Sequence, residues 1–388
     1  MARIDKVVMQ TYGRSPVVLV RGEGCLVWDE DGREYLDFVA GIAVCALGHA
    51  HPKLVAAVCE QMGRLTHVSN LYYTEPQLRV AEKLVANSFG DRVFFCNSGA
   101  EANEGAIKLA RAYAKHVGRS GAYHVICAEK SFHGRTLATL TATGQDKVKK
   151  GFEPVVDGFK HVPYGDLAAM ERLMDDAVAA VLVEPVLGEG GVIVPPDDYL
   201  PGLRRLCDER GALLMFDEIQ TGLGRTGKLW GHEHWAVKPD VMTLAKGLAG
   251  GLPMGAVVAT EAAAAALSPG MHATTFGAGP VVCAAAAVVL EELIDHGLVK
   301  HAADMGRLLR RGLDGLKERH PDRVKAVRNL GLLAAVELDG PGAGVVQALL
   351  GRGFLINCVQ DNVLRFLAPL VVEPHQIEAV LQAVDDEL

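Results

Sequence analysis

Two stretches of the chain, Ala179–Val183 and Ala212–Phe216, are unbroken runs of apolar residues. Each is too short for a stable helix and lacks the alternation of a strand with one wet face. Such runs suit strands covered on both faces, as in a mostly parallel sheet sandwiched between helices. The surroundings agree. Val93–Cys96, Tyr123–Ala128, Asp240–Leu244 and Gly255–Ala259 are further short strand candidates. Ala100–His116 has the spacing of an amphipathic helix between two of them. The expected centre of the molecule is therefore an α/β unit with a mostly parallel sheet.

The two ends of the chain read differently. Cys25–Asp29 and Arg33–Phe38 are strand candidates around the turn Asp31-Gly32, a hairpin signal. Pro52–Arg64 and Gln77–Ser88 have helical spacing. After the helical stretches Pro280–Ile294 and Leu298–Lys317, short strands and helices alternate: Val324–Val327, Leu332–Leu338, Gly344–Gly351, Phe354–Cys358, Val363–Phe366 and Pro374–Leu388. The expected division is a segment 1–50 packing with the small domain, a large domain 51–285, and a small α+β domain 286–388.

Composition narrows the function classes. With 49% hydrophobic and 22% charged residues in 388, the chain can bury a large core. A net charge of −8 argues against a general nucleic-acid or anionic-membrane surface. The longest apolar stretch, around Val281–Leu290, is about ten residues, too short to span a bilayer. Met1–Tyr12 lacks the apolar core of a secretion signal, so the cytoplasm is the expected location. None of the eight cysteines forms C-x-x-C, and reduced core thiols are expected rather than disulfides or a metal site.

The chemistry concentrates at strand ends. Asp217 follows the run Leu213–Phe216, and Lys246 follows Val241–Leu244. In a parallel sheet the carboxyl ends of the strands share one edge, where ligands bind. A carboxylate and a lysine meeting there suit pyridoxal phosphate: the amine condenses with the aldehyde, and the carboxylate keeps the pyridine nitrogen protonated. A structural ion pair is the competing reading of these two residues alone. Asn97-Ser98-Gly99-Ala100-Glu101-Ala102-Asn103 joins a strand to a helix. Its free N–H groups and its glycine suit a phosphate, although a simple N-cap explains them too. Phe132 in Ser131-Phe132-His133-Gly134-Arg135-Thr136 could stack on a ring. Arg135 could grip a carboxylate. His133 reads as structural.

Taken in order, these segments carry a resemblance. They include Gly41-Ile42-Ala43-Val44, Asn97–Asn103, Phe132–Thr136 and Glu184-Pro185-Val186-Leu187-Gly188-Glu189-Gly190-Gly191. Phe216-Asp217-Glu218-Ile219-Gln220-Thr221-Gly222, Leu244-Ala245-Lys246-Gly247, Thr274-Thr275-Phe276-Gly277 and Leu364-Arg365-Phe366 complete the set. From Tyr12 onward the chain resembles the class III, fold-type I pyridoxal-phosphate aminotransferases, and within them those acting on N2-acetylornithine. The resemblance implies a large cofactor domain and a small domain made from both ends.

It also implies residue roles. Lys246 is the cofactor-linked lysine and proton carrier, and Asp217 the partner of the ring nitrogen. Gln220 sits near the ring hydroxyl, while Ile219 and Phe132 cover its two faces. Ser98, Gly99 and Ala100 cradle the phosphate. Thr275 reaches the neighbouring subunit's phosphate, which makes the enzyme a homodimer with shared sites. Arg135 and Arg365 bind carboxylates. Glu189 closes on Arg365 for the amine donor and opens for glutamate, against the alternative of a static ion pair. Thr274 and Ile42 line the substrate. The substrates implied are N2-acetylornithine and 2-oxoglutarate; N-succinylornithine, N-succinyl-diaminopimelate, ornithine and 4-aminobutyrate are the alternatives. An apolar Ile42, where ornithine-specific members carry tyrosine, favours the acylated amine. Leu187 and Ala278-Gly279 depart from the family pattern.

Other motifs compete. Gly222-Leu223-Gly224-Arg225-Thr226-Gly227-Lys228 fits both a dinucleotide and a phosphate-loop pattern. However, Leu229 stands where the phosphate loop needs Ser or Thr, and no helix signal follows. His49-Ala50-His51 and His232-Glu233-His234 have metal-like spacing without a third ligand nearby, so no metal is expected.

Overall fold

A computed structural model describes residues 4–388; the first three residues of the segment 1–50 lie outside the described residues. The chain opens with three antiparallel strands, β1 (Leu19–Glu23), β2 (Leu26–Asp29) and β3 (Glu34–Asp37). β2 and β3 form the expected hairpin. Asp29 shapes its turn by accepting the backbone N–H groups of Asp31 and Arg33 at 3.1 and 2.8 Å.

Seven strands then build the central sheet: β4 (Arg92–Cys96), β5 (His124–Ala128), β6 (Phe159–Val162), β7 (Val178–Val183), β8 (Leu213–Asp217), β9 (Val241–Leu244) and β10 (Gly255–Ala259). Their spatial order is β4-β10-β9-β8-β7-β5-β6. Only β10 runs against its neighbours; the pairs from β9 to β6 are all parallel. The two bare apolar runs are β7 and β8, which are buried at every residue. Helices cover both faces, among them Gly99–His116 on one side and Tyr199–Arg210 on the other. The mostly parallel sheet expected from the sequence is present.

The topology has a direct consequence. β4, β5, β7, β8 and β9 all run the same way, so their carboxyl ends share one edge. The loops after them begin at Asn97, Glu129, Glu184, Glu218 and Ala245. The segments with Ser98–Ala100, Phe132–Arg135, Glu189, Asp217–Gln220 and Lys246 all leave that edge, whereas Thr274–Gly277 follows the reversed strand β10.

The last strands are β11 (Val324–Leu330), β12 (Leu333–Leu338), β13 (Phe354–Leu355), β14 (Asn357–Val359) and β15 (Val363–Phe366). Four of them make an antiparallel sheet in the order β11-β12-β15-β14. The stretch Phe354–Cys358, expected as one strand, is two. β13 pairs in parallel with β3, and β14 pairs with β15. The open edge of β3 takes the break: Leu36 and Phe38 donate to the carbonyls of Gly353 and Leu355, both at 2.8 Å. The two ends of the chain thus share a sheet. All eight cysteines are free; five are buried, and Cys59 is exposed rather than in the core.

Arg225 ties these parts together. It lies in the Gly222–Lys228 segment, which forms successive turns and not the strand-to-helix junction that a nucleotide site needs. Its buried guanidinium donates to the carbonyls of Leu332 (3.1 Å) and Ala368 (2.5 Å), and Leu332 N–H donates back to the Arg225 carbonyl at 2.9 Å. Burial lowers its pKa to about 10, so it stays charged at neutral pH. Arg225→Ala leaves two buried carbonyls without donors, and the expected loss of stability is about 2–4 kcal/mol. A urea unfolding midpoint within experimental error of the parent enzyme's would contradict that role.

Candidate active site

The shared strand edge opens into a cavity of about 420 Å³. Ser98, Gly99, Ala100, Phe132, Arg135, Glu189, Asp217, Ile219, Gln220 and Lys246 all line it, although they come from five different loops. Ser98 caps the helix Gly99–His116, its hydroxyl accepting Glu101 N–H at 3.2 Å. The Glu101 carboxylate turns back to Asn97 N–H at 2.7 Å. These contacts leave the N–H groups at the very start of the helix available to an anion, aided by the helix dipole. Gly99 is required by packing: a Cβ there would lie 2.7 Å from Ile219 Cδ1.

Asp217 is buried at the end of β8, and a buried carboxylate must be matched by donors. Its Oδ2 accepts Asn103 Nδ2 at 2.7 Å and His133 Nδ1 at 2.8 Å. Its Oδ1 accepts Ile219 N–H at 3.1 Å. Asn103 is fixed in turn, because its Oδ1 accepts the Thr243 hydroxyl at 2.8 Å. Among the described residues Asp217 makes no ion pair with Lys246, so the structural ion-pair reading does not hold. His133, read from sequence as structural, is a direct partner of Asp217, and its Nε2 is buried without a protein partner.

Lys246 follows β9 with φ of +45°, a left-handed conformation that is uncommon for a residue with a side chain. Burial pushes its pKa down to about 8; the charge of Arg365 lowers it further, while Glu189 and Asp217 oppose the fall. An amine so placed is partly unprotonated near neutral pH.

Two arginines stand near the cavity. Arg135 is exposed on its wall, with its guanidinium carbon 5.5 Å from the centre of the Phe132 ring and no carboxylate partner among the described residues. Arg365, fully buried on β15, donates to Glu189 Oε1 at 2.6 Å and to Gln220 Oε1 at 3.3 Å. Burial raises the Glu189 pKa, but the charges of Arg365 and Lys246 overcome it and hold the carboxyl below its usual range. Glu184, which sequence reading left without a role, clamps two of the loops. Its oxygens accept Phe132 N–H at 3.0 Å and Gly188 N–H at 3.1 Å. Burial, reinforced by the nearby Asp217, pushes its carboxyl well above the usual range.

Four predicted residues lie off the cavity wall: Arg365, behind Glu189 and Gln220, and Ile42, Thr274 and Thr275. Ile42 is exposed within a left-handed turn, Ala40–Ala43, and Val44 faces the cavity instead. Asp37 sets that turn by accepting Val39 and Ala40 N–H, both at 2.8 Å. Thr274 accepts Asn97 Nδ2 at 3.2 Å, beside the helix start. Thr275 is exposed. Three of the four metal-like histidines have structural partners: His49 bonds Asp37 and His232 bonds the buried Glu218, each at 2.8 Å, and His234 bonds the Thr226 carbonyl at 3.1 Å, while His51 Nδ1 is buried without one. No cluster able to hold a metal occurs among the described residues.

This donor set fits pyridoxal phosphate. It joins a helix start for the phosphate, a carboxylate for the ring nitrogen, Phe132 and Ile219 as apolar cover, and an amine of lowered pKa, all in one cavity.

Comparison with known proteins agrees. The family model described as aminotransferase class III matches residues 7–388. An acetylornithine aminotransferase of Thermosynechococcus vestitus is 53% identical over 394 residues, covering 99% of this chain and 95% of that protein. One from Methanocaldococcus jannaschii is 51% identical, covering 97% of this chain and 95% of that protein. The ornithine aminotransferase of Toxoplasma gondii, in a structure with pyridoxal phosphate partly occupying its active site, is 35% identical with a TM-score of 0.94 over 99% of this chain and 92% of that one. With the motifs assembled in one cavity and the match running almost end to end, the chain belongs to the class III aminotransferases.

Proposed function

We propose that this aminotransferase moves the δ-amino group of N2-acetylornithine to 2-oxoglutarate, giving N-acetylglutamate 5-semialdehyde and glutamate, a step of arginine biosynthesis. The observation that carries the reading is the pair of differently held arginines. Arg135 is exposed and has no carboxylate partner among the described residues, whereas Arg365 is occupied by Glu189. Two donors with one and two carboxylates need such a site. The names of the relatives at about half identity support the acylated amine.

Pyridoxal phosphate, bound in the cavity, supplies an electron sink for the carbon that loses its proton. The chain does the rest. Ser98, Gly99 and Ala100 hold the phosphate. Asp217, itself held by Asn103 and His133, keeps the ring nitrogen charged. Phe132 and Ile219 cover the ring faces, and Gln220 sits at its edge. Lys246 carries the proton from the reacting carbon. Arg135 holds the donor carboxylate, and Arg365 takes the second carboxylate of glutamate once Glu189 releases it. A charged hydrogen bond of this kind is worth about 1.5–3 kcal/mol, enough to bias the choice. Val44, on the cavity wall, takes the place expected of Ile42, and Thr274 stands beside the helix start through Asn97.

We also propose a cytoplasmic homodimer. Leu71 (82% exposed), Tyr72 (68%) and Phe276 (66%) are exposed apolar side chains, and Asn70, beside the first of them, donates to the Gly277 carbonyl at 2.9 Å, which brings the two segments together; Thr275 then serves the neighbour's phosphate. The reading keeps the division 1–50, 51–285 and 286–388. It needs no nucleic acid and no membrane; no helix among the described residues is long and apolar enough to cross one.

Initial rates with acetylornithine and 2-oxoglutarate should give parallel double-reciprocal lines. A kcat/KM for ornithine at or above that for acetylornithine would overturn the donor assignment. Lys246→Ala should lose about 10²–10⁴-fold in kcat, as expected for a general acid–base. Asp217→Asn should lose about 10²–10³-fold, as expected when a preorganised electrostatic partner is removed. Retention of full activity by either variant would remove its role. The rate of cofactor uptake by the apoprotein should rise with pH through about 8, as Lys246 becomes the free amine. Glu189→Gln removes a charge that holds the proton on Lys246, so the midpoint should fall; a rise would contradict the arrangement.

A further inference from the structure

Glu189 lies in the segment Leu187-Gly188-Glu189-Gly190-Gly191, with glycines on both sides. Glycine leaves a backbone free to turn, so the composition alone would let this carboxylate wander. The segment is instead held from three directions. Its base is closed by Leu187 and Ile193, whose N–H groups donate to each other's carbonyls at 3.1 and 3.0 Å. Glu184 accepts Gly188 N–H at 3.1 Å. The last two bonds come from the carboxyl-terminal sheet. Gln360 Nε2, from the turn between β14 and β15, donates to the Glu189 carbonyl, and Arg328 Nε, from β11, donates to the Gly191 carbonyl, both at 2.8 Å.

The backbone that presents Gln360 is unusual. Gln360 and Asp361 have φ of +51° and +64°, a region that residues with side chains seldom enter. Such a conformation persists only where its surroundings hold it. Here Asn362 N–H donates to the Gln360 carbonyl at 2.8 Å, and Gly342 N–H donates to the Asp361 carbonyl at 2.9 Å. The turn so fixed delivers the Gln360 amide to the carbonyl of Glu189. No step of the reaction described above uses Gln360.

In that reaction the Glu189 side chain is either on Arg365 or released from it. Once it leaves, Arg365 keeps the neutral partners Gln220 and Asn357, both at 3.3 Å. A fully buried guanidinium needs an anion. A ligand with a second carboxylate therefore displaces Glu189, and its apparent affinity is reduced by the fraction of molecules in which the pair is closed. A ligand with one carboxylate, held by Arg135, leaves the pair intact. Fixing the Glu189 backbone lowers the entropy lost when its carboxylate settles on Arg365, so the bond from Gln360 favours the closed pair.

We propose that Gln360 is a positioning residue for the Glu189–Arg365 pair: by holding the Glu189 carbonyl it biases the pair towards closure and sets the balance between ligands with one carboxylate and ligands with two. The proposal rests on the switching role given to Glu189 above. The test is calorimetric titration of the holoenzyme with glutarate and with valerate, which has the same chain length and one carboxylate. Gln360→Met keeps the length and removes the donor. Gln360→Asn is too short to reach, and asparagine tolerates positive φ, which protects the fold. In both variants the Kd of glutarate relative to that of valerate should fall about twofold to tenfold, the range that one lost hydrogen bond supports. In a Glu189→Gln background neither substitution should move the ratio. An unchanged or raised ratio, an equal weakening of both ligands, or the same shift in the Glu189→Gln background overturns the role of Gln360. Glu189→Gln alone should also lower the ratio; if it does not, the switching role of Glu189 fails and the proposal fails with it.

Discussion

The site depends on one buried carboxylate. Asp217 sits at the end of the most deeply covered part of the sheet, where a lone charge would cost several kcal/mol. Three donors meet it: Asn103 from the helix that begins at the phosphate cradle, His133 from the loop that carries Phe132 and Arg135, and the backbone of Ile219. Satisfying that charge therefore fixes three loops relative to one another. The helix start, the aromatic cover and the apolar residue on the opposite ring face are held through a single group. The same carboxylate is the one to which the proposed function assigns the ring nitrogen.

Glu184 performs a related function one strand away. It joins Phe132 to Gly188, so the loop with the exposed arginine and the loop with Glu189 cannot drift apart. Glu189 in turn reaches Arg365 on a different sheet. The Glu189–Arg365 pair thus bridges two sheets, while Asp217 and Lys246 both stand at the edge of the central one.

Much of this was legible in the sequence because the physics is local. Unbroken apolar runs identify covered strands, and covered parallel strands place their following residues on one edge. That reasoning reaches Asp217, Lys246, and the Ser98–Ala100 cradle. It does not reach His133, whose partner is 84 positions away, because nothing in a short Phe-His-Gly-Arg segment reveals a distant carboxylate. Asn103 could have been found: it lies one helical turn inside the cradle, on the face that the first turn directs to the sheet. The break between β13 and β14, at Ile356, was hidden for another reason. Periodicity describes which residues are covered and is silent on which sheet covers them. Ile42 was misplaced from the cavity wall because four successive left-handed residues, Ala40–Ala43, redirect the chain. Only one of them is a glycine.

The sharing of a sheet between β3 and β13 constrains how the molecule is made. Parallel pairing of Phe354 with Leu36 and of Leu355 with Asp37 unites residues more than three hundred positions apart. During synthesis the hairpin emerges first, with the far edge of β3 lacking its neighbour until the chain is nearly finished. An open strand edge is a template for wrong pairing, and a contact of such long range forms slowly. The amino-terminal hairpin must therefore survive most of translation unsealed, and the nascent chain is most vulnerable to aggregation in that interval. The assembled enzyme, once β13 arrives, no longer exposes that edge.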